Sequence, residues 1–233
     1  MFFYNLFLYL LSPFILIRLI IYMIRNSISL EYLFTKLFGT KSIKHKQLWI
    51  HAASVGEMKI AIELSRELTK IGQTDILITS NTPTSKTLFE DSKIGNITHC
   101  FLPMDFYFVI KSFVKMISAK LLIVVETEIW PNLYNSCKKN NTKILIINAR
   151  FNAPKGILRI LSNKIYEQTL NAVDHVYCKS KKDEDGYLKY ISPNKVSNLG
   201  NIKYSLIKEN DNVERIIEKK YILLASSHHR EEI

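Results

Sequence analysis

Cysteine is scarce in this chain: three residues in 233, Cys100, Cys137 and Cys178, odd in number and far apart. That excludes a disulfide framework and a zinc knot. Each thiol lies near an apolar run and reads as a small core residue of a protein kept in a reducing compartment. The six histidines show neither HExxH nor HxH spacing, so nothing points to a protein-bound metal, and no cofactor is expected. Internal repeats and low-complexity segments are lacking. Acidic residues are outnumbered, 21 against 32 lysines and arginines, giving a net charge of +11 and a pI near 9.4. Such a balance suits an anionic partner: phospholipid, a phosphorylated substrate or nucleic acid. The lysines are spread along the chain, with no aromatic-interleaved basic stripe and no RNP or finger spacing. Nucleic acid is therefore the least favoured of the three.

The N-terminus stands apart. Residues 1–23 are almost wholly apolar, broken by Asn5, Ser12-Pro13 and Arg18. A spanning helix needs about 20 apolar residues. Arg18 falls inside that length and Pro13 is expected to kink it, so an interfacial or re-entrant helix is as well supported as a span. A buried core helix is the bland alternative. There is no basic n-region and no small-residue cleavage site, which argues against a removed signal peptide. Arg18, Arg25, Lys36, Lys41, Lys44 and Lys46 form a positive flank that places the following chain on the cytoplasmic side. Residues 1–25 are thus read as a membrane anchor or interfacial helix.

From residue 48 the chain alternates. Apolar strand-like runs cover 48–53, 75–80, 98–101, 121–125, 143–148 and 175–178, with helical stretches between them, such as 58–69. Alternation of this kind means an α/β fold with a parallel sheet covered on both faces. The polar stretch 208–220 reads as a linker or surface helix. A further strand at 221–225 opens a new βα unit, which suggests the start of a second domain that is missing from the chain.

Several strand ends carry chemistry, and in open α/β sheets ligands bind outside the carboxyl ends of the strands. The segment Glu126-Thr-Glu-Ile-Trp-Pro-Asn132 follows the run 121–125, and a core strand has no need of Glu126 and Glu128 there. His51-Ala-Ala-Ser-Val-Gly-Glu57 places Gly56 for a tight turn and close ligand approach. Glu57 suits a general base on a hydroxyl nucleophile, while Ser54 and Glu57 equally spell a helix capping box. Ser80-Asn-Thr-Pro-Thr-Ser85, with Thr82 and Thr84, suits phosphate, sugar or a plain N-cap. Asn148-Ala-Arg150 offers a guanidinium for carboxylate or phosphate, or a surface ion pair. Gly200-Asn-Ile-Lys203 follows a short strand at 196–199, where Lys203 can meet an anionic group or remain solvated.

Taken in order, HAASVGE, SNTPTS, Leu102-Pro-Met-Asp105, ETEIWPN, NAR and GNIKY (200–204) resemble the Kdo transferases, the 3-deoxy-D-manno-octulosonic acid transferases of Gram-negative lipopolysaccharide assembly. The terminal AxSHHREE (225–232) resembles the start of that family's second-domain motif. The resemblance runs from about Trp49 to the last residue. It implies a GT-B glycosyltransferase whose N-terminal Rossmann-like domain, here 26–207, binds the acceptor. Residues 221–233 would begin the domain that binds the donor CMP-Kdo. The implied reaction moves Kdo to a lipid A precursor (lipid IVA) at the cytoplasmic face of the inner membrane, with no metal. By motif, Glu57 matches the general base, and Glu126 and Lys203 match residues that support the transition state. Ser54, Gly56, Thr82, Thr84, Glu128, Asn148, Arg150 and Asn201 fall on the acceptor side; Ser226, Ser227 and His228 fall on the donor side. Ser85, Met104, Asn152 and Arg230 stand where the family usually has Gly, Tyr, Ser and Gly. The resemblance further implies that this chain is inactive alone, being either a truncated part of a longer transferase or a half completed by one encoded separately. The alternatives are a split-gene remnant acting as a membrane-bound lipid-binding module, and another membrane-anchored GT-B transferase.

Overall fold

The computed structural model describes residues 1–40, 43, 45–153 and 159–202. Seven strands form one all-parallel sheet: β1 (Leu48–His51), β2 (Ile76–Ser80), β3 (Ile97–Phe101), β4 (Leu121–Val125), β5 (Lys143–Ala149), β6 (His175–Cys178) and β7 (Val196–Asn198). Their order is β3-β2-β1-β4-β5-β6-β7. The chain therefore winds outward in one direction from β1, then returns to β4 and winds the other way. The Rossmann-like α/β class read from the sequence is borne out.

The apolar runs explain the layers. Along β1, Leu48 and Ile50 face one side and Trp49 the other, as the period of two requires. The first side packs Ile76, Ile78, Ile123 and Val125 against Met58, Ile60, Ala61 and Ile62 of α3 (Val55–Lys70), with Leu88 and Phe89 of α4 (Pro83–Asp91) at its margin. The second packs Trp49, Leu77, Leu122, Val124, Ile144 and Ile146 against α5 (Tyr107–Ile117), α6 (Pro131–Lys139) and α7 (Arg159–Leu170). Cys137 and Cys178 lie in this second core, as small apolar residues would. The short helix α8 (Lys181–Tyr187) closes the β6 end.

Ahead of the sheet come α1 (Phe2–Arg25) and α2 (Leu30–Phe38). Helix α1 continues through Pro13 as one helical segment. Proline removes the hydrogen bond to the carbonyl four residues back, and the Ser12 hydroxyl supplies it, donating to Tyr9 O at 2.7 Å.

Helix α1 lies along the domain rather than projecting from it. At its start the Met1 amino group is 3.5 Å from Gln168 Oε1 on α7. The Tyr4 hydroxyl donates to Asp105 Oδ2 at 2.8 Å, and Asn5 Oδ1 accepts from Asn132 Nδ2 at 2.7 Å. The Tyr9 ring stacks on Phe106 at 5.5 Å. At its far end Met23 packs with Tyr32 and Phe101. Asp105 is the hub of this seam: it also accepts from the Asn132 and Leu133 amides at 2.9 Å, capping α6. Burial pushes its carboxyl up to about 7, against the pull of those donors. The other side of α1 is largely exposed, its first turns bordering an apolar cleft with Ser162 and Ile165 of α7. Phe3, Phe7, Leu10, Phe14, Ile17, Ile21 and Ile24 recur at alternating spacings of four and three, and all are exposed. Leu30, Phe34 and Phe38 add an exposed apolar face on α2.

Candidate active site

Strand β1 leaves the sheet at His51, whose ring is buried. Its Nδ1 lies 2.9 Å from Thr79 Oγ1 on β2, and that hydroxyl oxygen also accepts from Trp49 Nε1 at 2.8 Å. The second ring nitrogen, Nε2, has no hydrogen-bond partner and sits 3.8 Å from Glu128 Oε2. Ser54 then caps α3. Its hydroxyl accepts from the Glu57 amide at 3.4 Å, while Glu57 Oε2 accepts from the Ala53 and Ser54 amides at 2.6 and 3.2 Å. The capping box is therefore complete. Glu57 is only 8% exposed. Burial raises the pKa of its carboxyl, and the charge of Glu128 adds to the rise; the two amides and His51 oppose it. A carboxylate with enhanced proton affinity at a helix start is suited to take a proton from a hydroxyl.

The neighbouring strand ends are strained. Glu126, just past β4, has φ +63°, and Asn148, the penultimate residue of β5, has φ +51°. Residues with a Cβ pay about 1–3 kcal/mol in that region and keep it only where their surroundings dictate. Here each restrains the other: Asn148 Nδ2 donates to Glu126 Oε1 at 3.3 Å, and Glu126 N donates to Ile147 O at 2.9 Å. Asn148 Oδ1 accepts from the Ile202 amide at 3.2 Å, which draws the segment holding Asn201 onto the end of β5. The β5–β6 register shifts at the same level, between Ile146 and Ala149.

Glu128 is held by its neighbours. Its Oε2 accepts from Trp130 Nε1 at 2.8 Å, and its carbonyl accepts from the Tyr134 hydroxyl. The carbonyl of Arg150 accepts from Thr127 Oγ1 at 2.6 Å and from the Tyr187 hydroxyl at 3.3 Å, leaving the arginine itself exposed. On β2's side, Thr82 caps α4, accepting from the Ser85 amide at 3.3 Å and from Thr84 Oγ1 at 3.2 Å. Both threonine hydroxyls are thus engaged inside their own loop.

Glu57, Glu126, Glu128, Asn148 and Arg150 come together at the ends of β1, β4 and β5, which are adjacent. Glu57 and the two other glutamates flank the point where the winding reverses, the position that favours ligand binding in such sheets. Thr82 and Thr84 stand one strand further out. Gly56 does not form the expected tight turn. It lies within the first turn of α3, outside the positive-φ residues, and shares the ordinary helical path of its neighbours. Lys203, Ser226, Ser227 and His228, together with the linker and second-domain readings, lie outside the described residues.

Sequence reading missed one resident of this edge. Lys36, counted among the positive flank of the apolar helix, is 7% exposed. Its Nζ donates to Asn81 Oδ1 and to Leu102 O, both at 2.8 Å, and Tyr32, one turn earlier, donates to Asn81 O at 2.9 Å. Helix α2 thereby ties the loop after β2 to the loop after β3. Burial lowers the Lys36 ammonium to about 7, although Glu128 opposes the fall. The i, i+4 pair Tyr32 and Lys36 was the available signal, since it puts both side chains on one face.

The model of the 3-deoxy-D-manno-octulosonic-acid transferase (Kdo transferase) family matches residues 32–206, three quarters of the chain and all of the edge just described. This chain belongs to the Kdo transferase family. It is 33% identical over 185 residues to a 3-deoxy-D-manno-octulosonic acid transferase of Haemophilus influenzae, covering 78% of this chain and 43% of that one. The corresponding transferase of Rickettsia typhi is 29% identical over 220 residues, 91% of this chain and 46% of its own length. A bifunctional glycosyltransferase/methyltransferase of Fusobacterium nucleatum is 29% identical over 183 residues, 75% of this chain and 28% of its own. The chain thus spans less than half the length of each of these Kdo transferase relatives.

Proposed function

We propose that this chain is the acceptor-binding half of a glycosyltransferase that moves Kdo from CMP-Kdo to a lipid A precursor in lipopolysaccharide biosynthesis. The observation that carries this reading is Glu57: a buried carboxylate with raised proton affinity, beside the winding reversal of the sheet. In the reaction, Glu57 takes the proton of an acceptor hydroxyl. The freed oxygen forms a bond to the anomeric carbon of Kdo as the bond from that carbon to CMP breaks. The anomeric centre passes through an oxocarbenium-like state. The carboxylate of Glu126, on a strained strand end, faces the charge that develops, and Lys203 and Arg150 supply cations for the anionic reactants. The donor half, with the CMP site that Ser226, Ser227 and His228 would begin, completes the enzyme. Without it this chain binds acceptor and does not turn over.

The acceptor is a lipid, and α1 suits a protein working at a bilayer surface. Both ends of this 24-residue helix, about 36 Å long, touch the domain. A helix spanning the bilayer would carry one end about 30 Å away from it. The exposed stripe from Phe3 to Ile24 would lie in the membrane interface with the helix axis in its plane, on the cytoplasmic face of the inner membrane.

The test is transfer itself. Membranes carrying this chain and a CMP-binding second half are given CMP-Kdo and lipid A precursor. The expected result is Kdo transfer that falls about 100-fold or more in Glu57→Gln. Transfer undiminished in that variant removes the base. Acceptor binding with no turnover, second half present, favours a lipid-binding module instead.

A further inference from the structure

The positive charge of this protein is concentrated. Residues 106–166 carry ten lysines and arginines against two carboxylates, Glu126 and Glu128, a net +8 of the chain's +11. Both carboxylates belong to the site above. Helices α5 and α6 hold four lysines and no acidic residue. Between these helices lies a cleft of about 120 Å³ lined by Tyr107, Lys111, Lys115, Ser136, Lys139 and Asn140, among others.

Three features of this cleft are unexplained by the fold. Lys111 and Lys115 are one turn apart on α5, a spacing at which like charges repel, and among the described residues no carboxylate pairs with them or with Lys139. The ammonium groups of Lys111 and Lys139 both sit over the Tyr107 ring, at 5.8 and 5.9 Å from its centroid, so two cations converge on one aromatic face or its edge. Finally, Ser136 is 5% exposed and its hydroxyl has no hydrogen-bond partner. A buried hydroxyl left unpaired needs an explanation. An anion in the cleft would supply one, with acceptor oxygens for the lysines and for the hydroxyl that lines it.

We propose that the α5–α6 cleft binds the phosphate of an anionic membrane lipid headgroup. Its position selects that source. Phe106, the residue before Tyr107, is stacked under Tyr9 of α1. Phe108, next to Tyr107 in the first turn of α5, is 72% exposed. The cleft thus adjoins the helix proposed to meet the bilayer, where lipid headgroups are the nearest source of phosphate. The proposal rests on the interfacial seating of α1 and is independent of Kdo transfer.

The full chain is tested for binding to vesicles of phosphatidylcholine alone and with phosphatidic acid added. Two charge-matched variants are compared, Lys111→Gln/Lys115→Gln/Lys139→Gln in the cleft and Lys59→Gln/Lys93→Gln/Lys189→Gln away from it. The expected result is wild-type preference for phosphatidic acid and a loss of about 100-fold in the cleft variant, roughly fivefold per lysine. The control variant should lose less than about fivefold, and binding to phosphatidylcholine alone should stay unchanged in both. Ser136→Ala, which alters no charge, should weaken only the phosphatidic acid preference. Equal losses in the two variants would mean diffuse attraction and overturn the cleft. Tight binding of inorganic phosphate without vesicles, or a preference for RNA over anionic vesicles, would overturn the lipid assignment. Failure of the wild type to bind phosphatidylcholine would instead remove the seating of α1, and the proposal with it.

Discussion

Glu57 has one task in the fold and one proposed for the reaction, and a single substitution can separate them. Its carboxylate caps α3 through the Ala53 and Ser54 amides, and a neutral Gln retains an acceptor oxygen for those bonds. Glu57→Gln should therefore unfold in urea within about 1 kcal/mol of wild type, whereas Ser54→Ala should cost about 1 kcal/mol by removing the cap. If Glu57→Gln is the more destabilised of the two, the charge serves the fold more than the chemistry. Lys36 gives a pH signature. Its folded pKa, about 7, lies below the ordinary lysine value of 10.5. The folded state thus sheds a proton that the unfolded state keeps, and stability rises with pH across that window. The stability of wild type relative to Lys36→Met should increase from pH 7 to pH 10 in urea titrations; a flat difference would mean that the amine is not desolvated. Neither feature was fully legible in the sequence. Ser54-x-x-Glu57 announced the box and left the base undecided, because spacing does not report burial. Lys36 looked like one more solvated cation, since its neighbours Asn81 and Leu102 come from strands far along the chain.

At the scale of elements, the strands were the easiest to read. Runs such as Leu121–Val125 are apolar throughout because a central parallel strand is covered on both faces, and no amphipathic helix shares that pattern. Helix α1 was readable in composition and not in orientation. Pro13 leaves the Tyr9 carbonyl without its helical amide, and the Ser12 hydroxyl takes that place. Whether the helix spans or lies flat depends on Tyr4, Asn5 and Met23 reaching partners on distant elements. Two outcomes follow for the flat geometry. Phe14→Glu, at the middle of the exposed stripe, should weaken binding to neutral vesicles by about tenfold or more, the loss expected for one exposed aromatic anchor. Single cysteines replacing Phe3 and Ile24 should be labelled from the same side of a sealed vesicle by an impermeant thiol reagent. Labelling from opposite sides would make α1 a span and separate it from the seam at Asp105.

On the scale of the whole molecule, topology does what no single motif could. The order β3-β2-β1-β4-β5-β6-β7 sets the ends of β1 and β4 side by side, so that Glu57 and Glu128, 71 positions apart in sequence, share one edge. The same winding sends α5, α6 and α7 to one face, where the basic residues gather and α1 lies. The strand ends proposed for chemistry and the helical layer proposed for attachment are thus separate regions of one scaffold, joined at Asp105 and Asn132. The motif series was legible because it follows the strand ends in order. The charge asymmetry was present in the sequence as well, and was hidden only by reading the lysines as an even spread. The central claim is that Glu57 is the base of a Kdo transferase acceptor site. The most direct measurement is the rate of Kdo transfer from CMP-Kdo to lipid A precursor, by this chain with a donor half, for wild type and Glu57→Gln across pH. The account predicts a wild-type rate that rises with pH as the Glu57 carboxyl ionises, and a Glu57→Gln rate lower by about 100-fold or more, without that rise. A Glu57→Gln enzyme with the wild-type rate and the wild-type pH profile would contradict it.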